Sequence, residues 1–436
     1  MEIKRRELMP GVWLSHLQTN KFKSDCLSLS LLTQLERDTV SLNALVPRVL
    51  SRGTTFHPDM DSISAACDEL YGARIMPVVR KKGEVLALGF YAGFIADRFT
   101  PKGEKLLENV ADLMGEMLLS PATRGGLLMK NYVESEKEKL IDDIRARIND
   151  KRLYAIYRLL GQMCAYEDYG ADDMGEETDV SSISYIDLTK HYRSLLQECP
   201  IEIFYCGSSP LRRVEGALKN ALMALPRGDI NYDIGTDIRM NAVAATPRYF
   251  EDALDVTQGK LEMGFRLGEI MDDPDFAAIR VFNALYGGTA TSRLFLNVRE
   301  KLSLCYYAGS SCDRLKGIML VSSGIEFDKF EEARDEILAQ LDALRQGDFS
   351  DEELSFAKKS VCSDLVAMTD SPGALEDFYL TQTLTGLDYG PEEYSALCDM
   401  VSREDIITVA KSIELDSVYF LRGLEEWEKE DSDCDD

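Results

Sequence analysis

Histidine is nearly missing from this chain: His16, His57 and His191 are the only three in 436 residues. None lies one helical turn from another, so no H-E-x-x-H or H-x-x-E-H helix can offer two imidazoles to a metal. Positive charge is also short. The 49 Lys and Arg face 76 Asp and Glu, for a formal net charge of −27. That balance excludes nucleic acid or an anionic membrane as a partner, since both are held by clustered cations. No run of about 18 apolar residues occurs, so no membrane-spanning helix is expected. The opening "MEIKRRELMPGVWLSHLQTNKFK" has basic residues but no apolar stretch behind them. This argues against a secretory signal and leads to the expectation of a cytoplasmic chain. The ten cysteines contain no C-x-x-C pair and read as reduced thiols that fill the core. A G-x-S-x-G elbow is absent, and the glycines of "YGGTATSRL" lack the Lys-Ser or Lys-Thr of a phosphate loop.

What is present is a globular composition, 45% hydrophobic and 29% charged, long enough for two or three domains at about one per 150 residues. Period-2 runs predict strands at "CLSLSLLTQL", "RIMPVVRKKG", "EVLALGFYAG" and "IEIFYCG", and again at "YFEDALDVTQGKLEMGFRL" and "GIMLVSSGI". Helical spacing fills most of the intervals, including one long stretch from "MKNYVESEKEKL" to "YRLLGQM". The order repeats. A helix ending in Gly53-Thr54 precedes one closing at Leu70-Tyr71-Gly72, and a helix ending in Gly288-Thr289 precedes one closing at Leu304-Cys305-Tyr306. Self-similarity over half the chain predicts a duplicated α+β unit. The expected division is a domain over 1–226, a linker over 227–239, a second domain over 240–425 and a solvated acidic tail over 426–436. Two such halves can form a clamp.

His57, in "RGTTFHPDMD", has Asp59 and Asp61 beside it and is the one candidate for an unconventional metal site, although zinc sites draw on at least three convergent protein ligands. His191, in "LTKHYRSLL", reads as a helix-surface residue. The segment "NALVPRVLSRGT" has apolar residues at Leu42, Leu45, Val46, Val49 and Leu50, spaced for a buried helical face. Pro47 inside it removes a backbone hydrogen bond at a cost of ~3 kcal/mol, so a kinked or late-starting helix is expected.

Two segments carry a resemblance to the insulinase (pitrilysin) zinc peptidases. "ALVPRVLSRGT" matches the family's H-x-x-E-H-x-x-x-x-G-T helix, and "YGGTATSRLFLNVREKLSLCYYAGSS" is close to its second-half signature. The resemblance implies two homologous α+β domains of the metallopeptidase/LuxS-like type that form half of a clamshell chamber. It puts the first histidine at Ala44, the glutamate at Pro47 and the second histidine at Arg48. The third ligand falls at Glu136, with Glu134 and Glu138 as alternatives. Ala44 has no lone pair, Pro47 cannot act as a base, and Arg48 sets a permanent cation where the ion would lie. The chain is therefore expected to have no catalytic residue and no metal ligand.

Arg299 and Tyr306 match the Arg and Tyr that in this family reach the substrate, with Tyr307 as the alternative to Tyr306. A guanidinium fork suits peptide carbonyls and a phenol can donate to a developing oxyanion. The resemblance is nearest to zinc-lacking partner chains of heterodimeric members, some associated with elongation factor P 5-aminopentanol modification. It implies a non-catalytic subunit whose H-x-x-E-H partner holds the zinc and whose ligand is a peptide. The alternative is a homodimer that binds peptides or scaffolds a complex without hydrolysis.

Overall fold

The computed structural model describes residues 3–101, 103–268 and 276–424; the acidic tail over 426–436 lies outside them. In chain order the elements are β1 (Ile3–Met9), β2 (Val12–Gln18), β3 (Ser24–Gln34), α1 (Val40–Leu50), α2 (Met60–Glu69), β4 (Arg74–Lys82), β5 (Val85–Ile95), α3 (Leu106–Leu119) and the short β6 (Thr123–Arg124) and β7 (Leu127–Leu128). Next come α4 (Lys130–Ala146), α5 (Lys151–Met163), α6 (Glu177–Ser182), α7 (Tyr185–Glu198), β8 (Ile201–Gly207), α8 (Leu211–Ala221), β9 (Arg248–Leu254), β10 (Gly259–Arg266) and α9 (Ala277–Asn283). The chain closes with β11 (Cys305–Asp313), β12 (Ile318–Ile325), α10 (Phe330–Arg345), α11 (Asp351–Met368), α12 (Pro372–Thr385), α13 (Pro391–Met400), α14 (Arg403–Ser412) and β13 (Glu414–Gly423). Among the described residues no helix is long and apolar enough to cross a membrane, and the described cysteines are all free thiols.

The fold is α+β, built twice. One sheet has the order β1-β2-β8-β3-β5-β4 and the other β11-β12-β10-β13-β9. With β4, β5, β3, β8 and β2 set against β11, β12, β10, β13 and β9, the orders coincide. The directions coincide as well: β3/β8 and β10/β13 are antiparallel, whereas β2/β8 and β9/β13 are parallel.

The compact units are discontinuous in sequence, unlike the contiguous halves expected above. One comprises Met1–Arg145, Ala171–Gly235 and Thr369–Gly390; the other comprises Ala146–Gly170, Thr236–Met368 and Pro391–Asp436. The physical reason is that one face of each sheet is covered by a helix from the other half of the chain. In the first unit, Leu27, Leu29 and Leu31 of β3 join the main core, while Leu32 on the alternate face packs with Leu380 of α12. Ser28 on that face donates to Glu376 of α12 at 2.9 Å, and Arg80 of β4 forks onto the same buried carboxylate at 2.5 and 2.6 Å. In the second unit, Ala155 and Leu159 of α5 pack on Tyr419 and Leu421 of β13. A Cβ on Gly264 would lie 2.5 Å from Met163 Sδ, so the glycine leaves room for the methionine of α5 against β10.

Candidate functional site

The helix α1 forms as its apolar spacing predicts: Leu45, Val46, Val49 and Leu50 are buried in the first unit's core. It is not late-starting. Pro47 is its eighth residue and the helix continues through it, forgoing the bond a residue with an N–H would make to Asn43 O. The helix gives way to Gly53, where a Cβ would come within 2.2 Å of Pro58 O; this close approach accounts for the glycine of the Gly-Thr pair.

Ala44, Pro47 and Arg48 all line one cavity of about 610 Å³, and Glu136 of α4 lines it too. The structure thus brings together the four positions that the resemblance assigned to the metal site. It also selects among the acids. Glu136 is buried, Glu134 pairs with Lys137 at its half-exposed position, and Glu138 is exposed. The residues present do not fit a zinc ion. Arg48 reaches Asp143 Oδ2 at 2.7 Å, Arg52 reaches Glu136 Oε1 at 3.3 Å, and Lys139 reaches the same oxygen at 2.7 Å. Ion pairs to α4 from Arg48 of α1 and Arg52 just beyond it take the place of coordination, and Asp143 and Glu136 each already face a fixed ammonium or guanidinium.

No group of three or more His, Cys, Asp and Glu side chains is placed to hold a metal among the described residues. His57 donates from Nδ1 to Glu116 Oε1 at 2.9 Å, and Thr54 donates to the same oxygen. Asp59 is committed elsewhere, accepting from Ser62 N at 2.8 Å as the cap of α2. His191 is not a helix-surface residue, contrary to its sequence reading. It is half-buried, donates from Nε2 to Asn43 Oδ1 at 2.7 Å, and burial lowers its pKa to about 4. The neutral imidazole therefore braces α1 from α7. Its pairing to Asn43, 148 residues away, was not legible from local spacing.

In the second unit, α9 runs into a π-helical turn over Ala284–Gly288, and a second π-helical stretch spans Leu294–Lys301. Such widened turns recur at functional sites. Arg299 lies on the second. Its guanidinium stacks over Phe295 at 4.6 Å from the ring centre and lies 3.6 Å from Glu300. Tyr306 occupies a β-bulge, because Cys305 pairs with Ile325 and Tyr307 with Gly324. The bulge turns Tyr306 outward, where it is 61% exposed and donates to Glu326 at 2.5 Å; that bond raises its pKa. No hydrogen bond joins Arg299 to Tyr306 among the described residues. Tyr307 is set otherwise: its ring, half-buried, lies against Gly324 and beneath Arg152 at 4.6 Å.

Comparison with known proteins agrees with this geometry. A family model described as the peptidase M16 inactive domain matches residues 182–361. The chain is 34% identical over 417 residues to a probable inactive metalloprotease, YmfF, of Bacillus subtilis, covering 95% of this chain and 96% of that one. Among solved structures, a conserved protein from Enterococcus faecalis superposes with a TM-score of 0.86 at 26% identity, covering 97% of this chain and 98% of the other. An M16 inactive domain from Pseudomonas fluorescens superposes with 0.78 at 15% identity over 97% and 98%. The chain belongs to the M16 (insulinase) peptidase family.

Proposed function

We propose that this chain is the non-catalytic subunit of a heterodimeric zinc peptidase, docking with a homologue that carries H-x-x-E-H and contributing Arg299 and Tyr306 to peptide binding. The observation that carries the reading is an asymmetry. The metal positions are replaced by an ion-paired helix contact, while the second unit keeps a half-exposed guanidinium and an exposed phenol on adjacent elements. Selection for packing alone gives no reason to aim a tyrosine outward at a bulge, where strands commonly re-aim a side chain toward ligand. Water attack would take place on the partner's metal. The role left for this chain is to hold the substrate carbonyl with Arg299 and to donate to the oxyanion with Tyr306.

Two expected outcomes test this. Co-expressed with the homologue, the chain should form a one-to-one complex whose kcat/KM falls about 10- to 100-fold with Arg299→Ala and about ten-fold with Tyr306→Phe, the scale of losing one transition-state hydrogen bond. Full activity in both variants would instead favour a peptide-binding or scaffolding homodimer. Second, the isolated chain should bind no stoichiometric zinc, and Ala44→His/Pro47→Glu/Arg48→His should gain it only weakly. Arg52 and Lys139 would still hold Glu136, and binding would have to displace them. Metal analysis after dialysis reads both; one tightly bound zinc in the unaltered chain would defeat the reading.

A further inference from the structure

In a chain of net charge −27, the cavity over α1 is ringed by four cations, Arg48, Arg52, Arg74 and Lys139, against two acids, Glu136 and Asp173. Arg48 gives one guanidinium nitrogen to Asp143 and Arg52 gives one to Glu136. Each guanidinium has five N–H donors, so most remain to be shared. Arg74 makes no ion pair among the described residues. The apolar wall is soft: Met60, Met76, Met117 and Met174 all line it, and thioether chains adapt to differently shaped apolar partners.

One border of the cavity is β4, the open edge of its sheet. An open edge ordinarily invites a peptide to add as a further strand. Here Pro77 stands in the middle of that edge. A proline within an edge strand turns its missing N–H to the open side, so a peptide running past it would leave one carbonyl unpaired. A peptide that ends in the cavity needs no continuous ladder.

We propose that this cavity binds the free C-terminal carboxylate of a peptide whose last residue is large and apolar, with Arg48 and Arg74 holding the carboxylate and the methionines enclosing the side chain. A planar guanidinium matches a carboxylate through two parallel hydrogen bonds, which a terminal amide cannot accept in the same way. The inference rests on the reading of the chain as a peptide-binding subunit, and narrows its substrates to peptides presented by their C-terminus.

The test uses the purified chain alone. A fluorescein-labelled pentapeptide ending in free leucine is titrated by anisotropy beside the same peptide as its C-terminal amide, with decanoate as competitor. The acid should bind at least ten-fold more tightly than the amide, and added salt should weaken the acid more. Arg48→Gln and Arg74→Gln should each remove most of that preference. Because Arg74 is an exposed residue of an edge strand, its variant stays informative if Arg48→Gln, which also frees Asp143, melts early. Equal affinity for acid and amide, an unaltered preference in Arg74→Gln, or binding of decanoate without the peptide would each overturn the proposal. None of these outcomes bears on whether a zinc-bearing partner exists, and failure to find that partner would leave the binding result standing.

Discussion

Glu167→Leu should destabilise the second unit by about 3–5 kcal/mol, the cost of stripping one partner from buried charge. Glu167 is buried among three cations: Arg266 reaches it at 2.6 and 3.1 Å, Lys316 at 2.8 Å and Arg239, at the rim, at 3.9 Å. Asp416, equally buried, takes Arg266 Nε at 3.1 Å and also Arg248. Removing Glu167 would leave Arg266 and Arg248 sharing the carboxylate of Asp416 and strip Lys316 of its buried carboxylate. Burial alone would raise the Glu167 pKa, but the hydrogen bonds from Arg266 and Lys316 outweigh it, and the carboxyl is held below its ordinary value. A depressed folded pKa means stability that is present above the unfolded value and lost as pH falls through the folded one. The wild-type cluster should therefore lose stability in acid, as the pH falls below the ordinary value of 4.5. For a unit of this size the substitution should lower the melting temperature by roughly 6–20 °C. Arg266→Leu should cost less, because Lys316 and Arg248 still neutralise both acids. The double variant should recover stability relative to Glu167→Leu, since it removes a cation that has lost its partner. If Glu167→Leu melts within about 1 kcal/mol of wild type, the cluster is not what binds the segment after α5 to its sheet.

That segment also marks where sequence reading reached its limit. The strands β3, β4, β5 and β8 and the buried face of α1 were legible because alternation and helical spacing act locally, and each has one face in a contiguous core. The stretch from "MKNYVESEKEKL" to "YRLLGQM" read as one helical run, but the chain breaks it. Arg147–Asn149 tightens into a 3₁₀ turn, and Asp150 caps α5 by accepting from Arg152 N at 3.1 Å and Leu153 N at 3.0 Å. The Asn-Asp pair was a visible capping signal. What hid it was helical spacing on both sides, which shows no change at the point where the chain leaves one compact unit for the other. The helix α12 is not legible from periodicity. Leu375, Glu376, Phe378, Tyr379, Leu380 and Gln382 are all buried, so no polar face reveals the period. Its charged residue at Glu376 pairs with Arg80, 296 residues away. At the candidate site, the substitutions Ala44, Pro47 and Arg48 were readable one by one. That Arg48 and Arg52 face Asp143 and Glu136 required the third dimension, because no local pattern says which acid of α4 turns inward.

A second large effect is expected at Glu262, with the opposite pH sign. Glu262 is fully buried on β10; one oxygen accepts from Ser322 and the other has no hydrogen-bond partner. Burial, only partly offset by the Ser322 hydrogen bond and by Arg152 and Lys260, lifts its pKa to about 8. The group is therefore neutral in the folded chain at pH 7, while in the unfolded chain it ionises at its ordinary value of 4.5. A raised folded pKa gives stability that is fully present below the unfolded value and lost as pH rises toward the folded one, so folding must take up a proton over that window. At 1.36 kcal/mol per pH unit the cost reaches about 3 kcal/mol at pH 7. Glu262→Gln keeps the shape and an acceptor for Ser322 but has no proton to take up. The variant should match wild type near pH 4.5 and exceed it by about 2–3 kcal/mol at pH 7.5, less than the full difference because the new amide N–H₂ also needs partners. Urea unfolding at several pH values reads this directly; parallel wild-type and variant curves from pH 5 to 8 would show that Glu262 stays ionised when folded. Few single substitutions stabilise by that much, and the position explains why this one can. Glu262 lies close enough to Tyr307 to raise its pKa, and the Tyr307 hydroxyl is likewise buried without a hydrogen-bond partner, directly beside the bulge that turns Tyr306 outward. Two unsatisfied polar groups under one bulge are a local cost that packing alone would remove. Their place beneath a proposed substrate-binding tyrosine is where such a cost is tolerated when the conformation it accompanies is the one that functions.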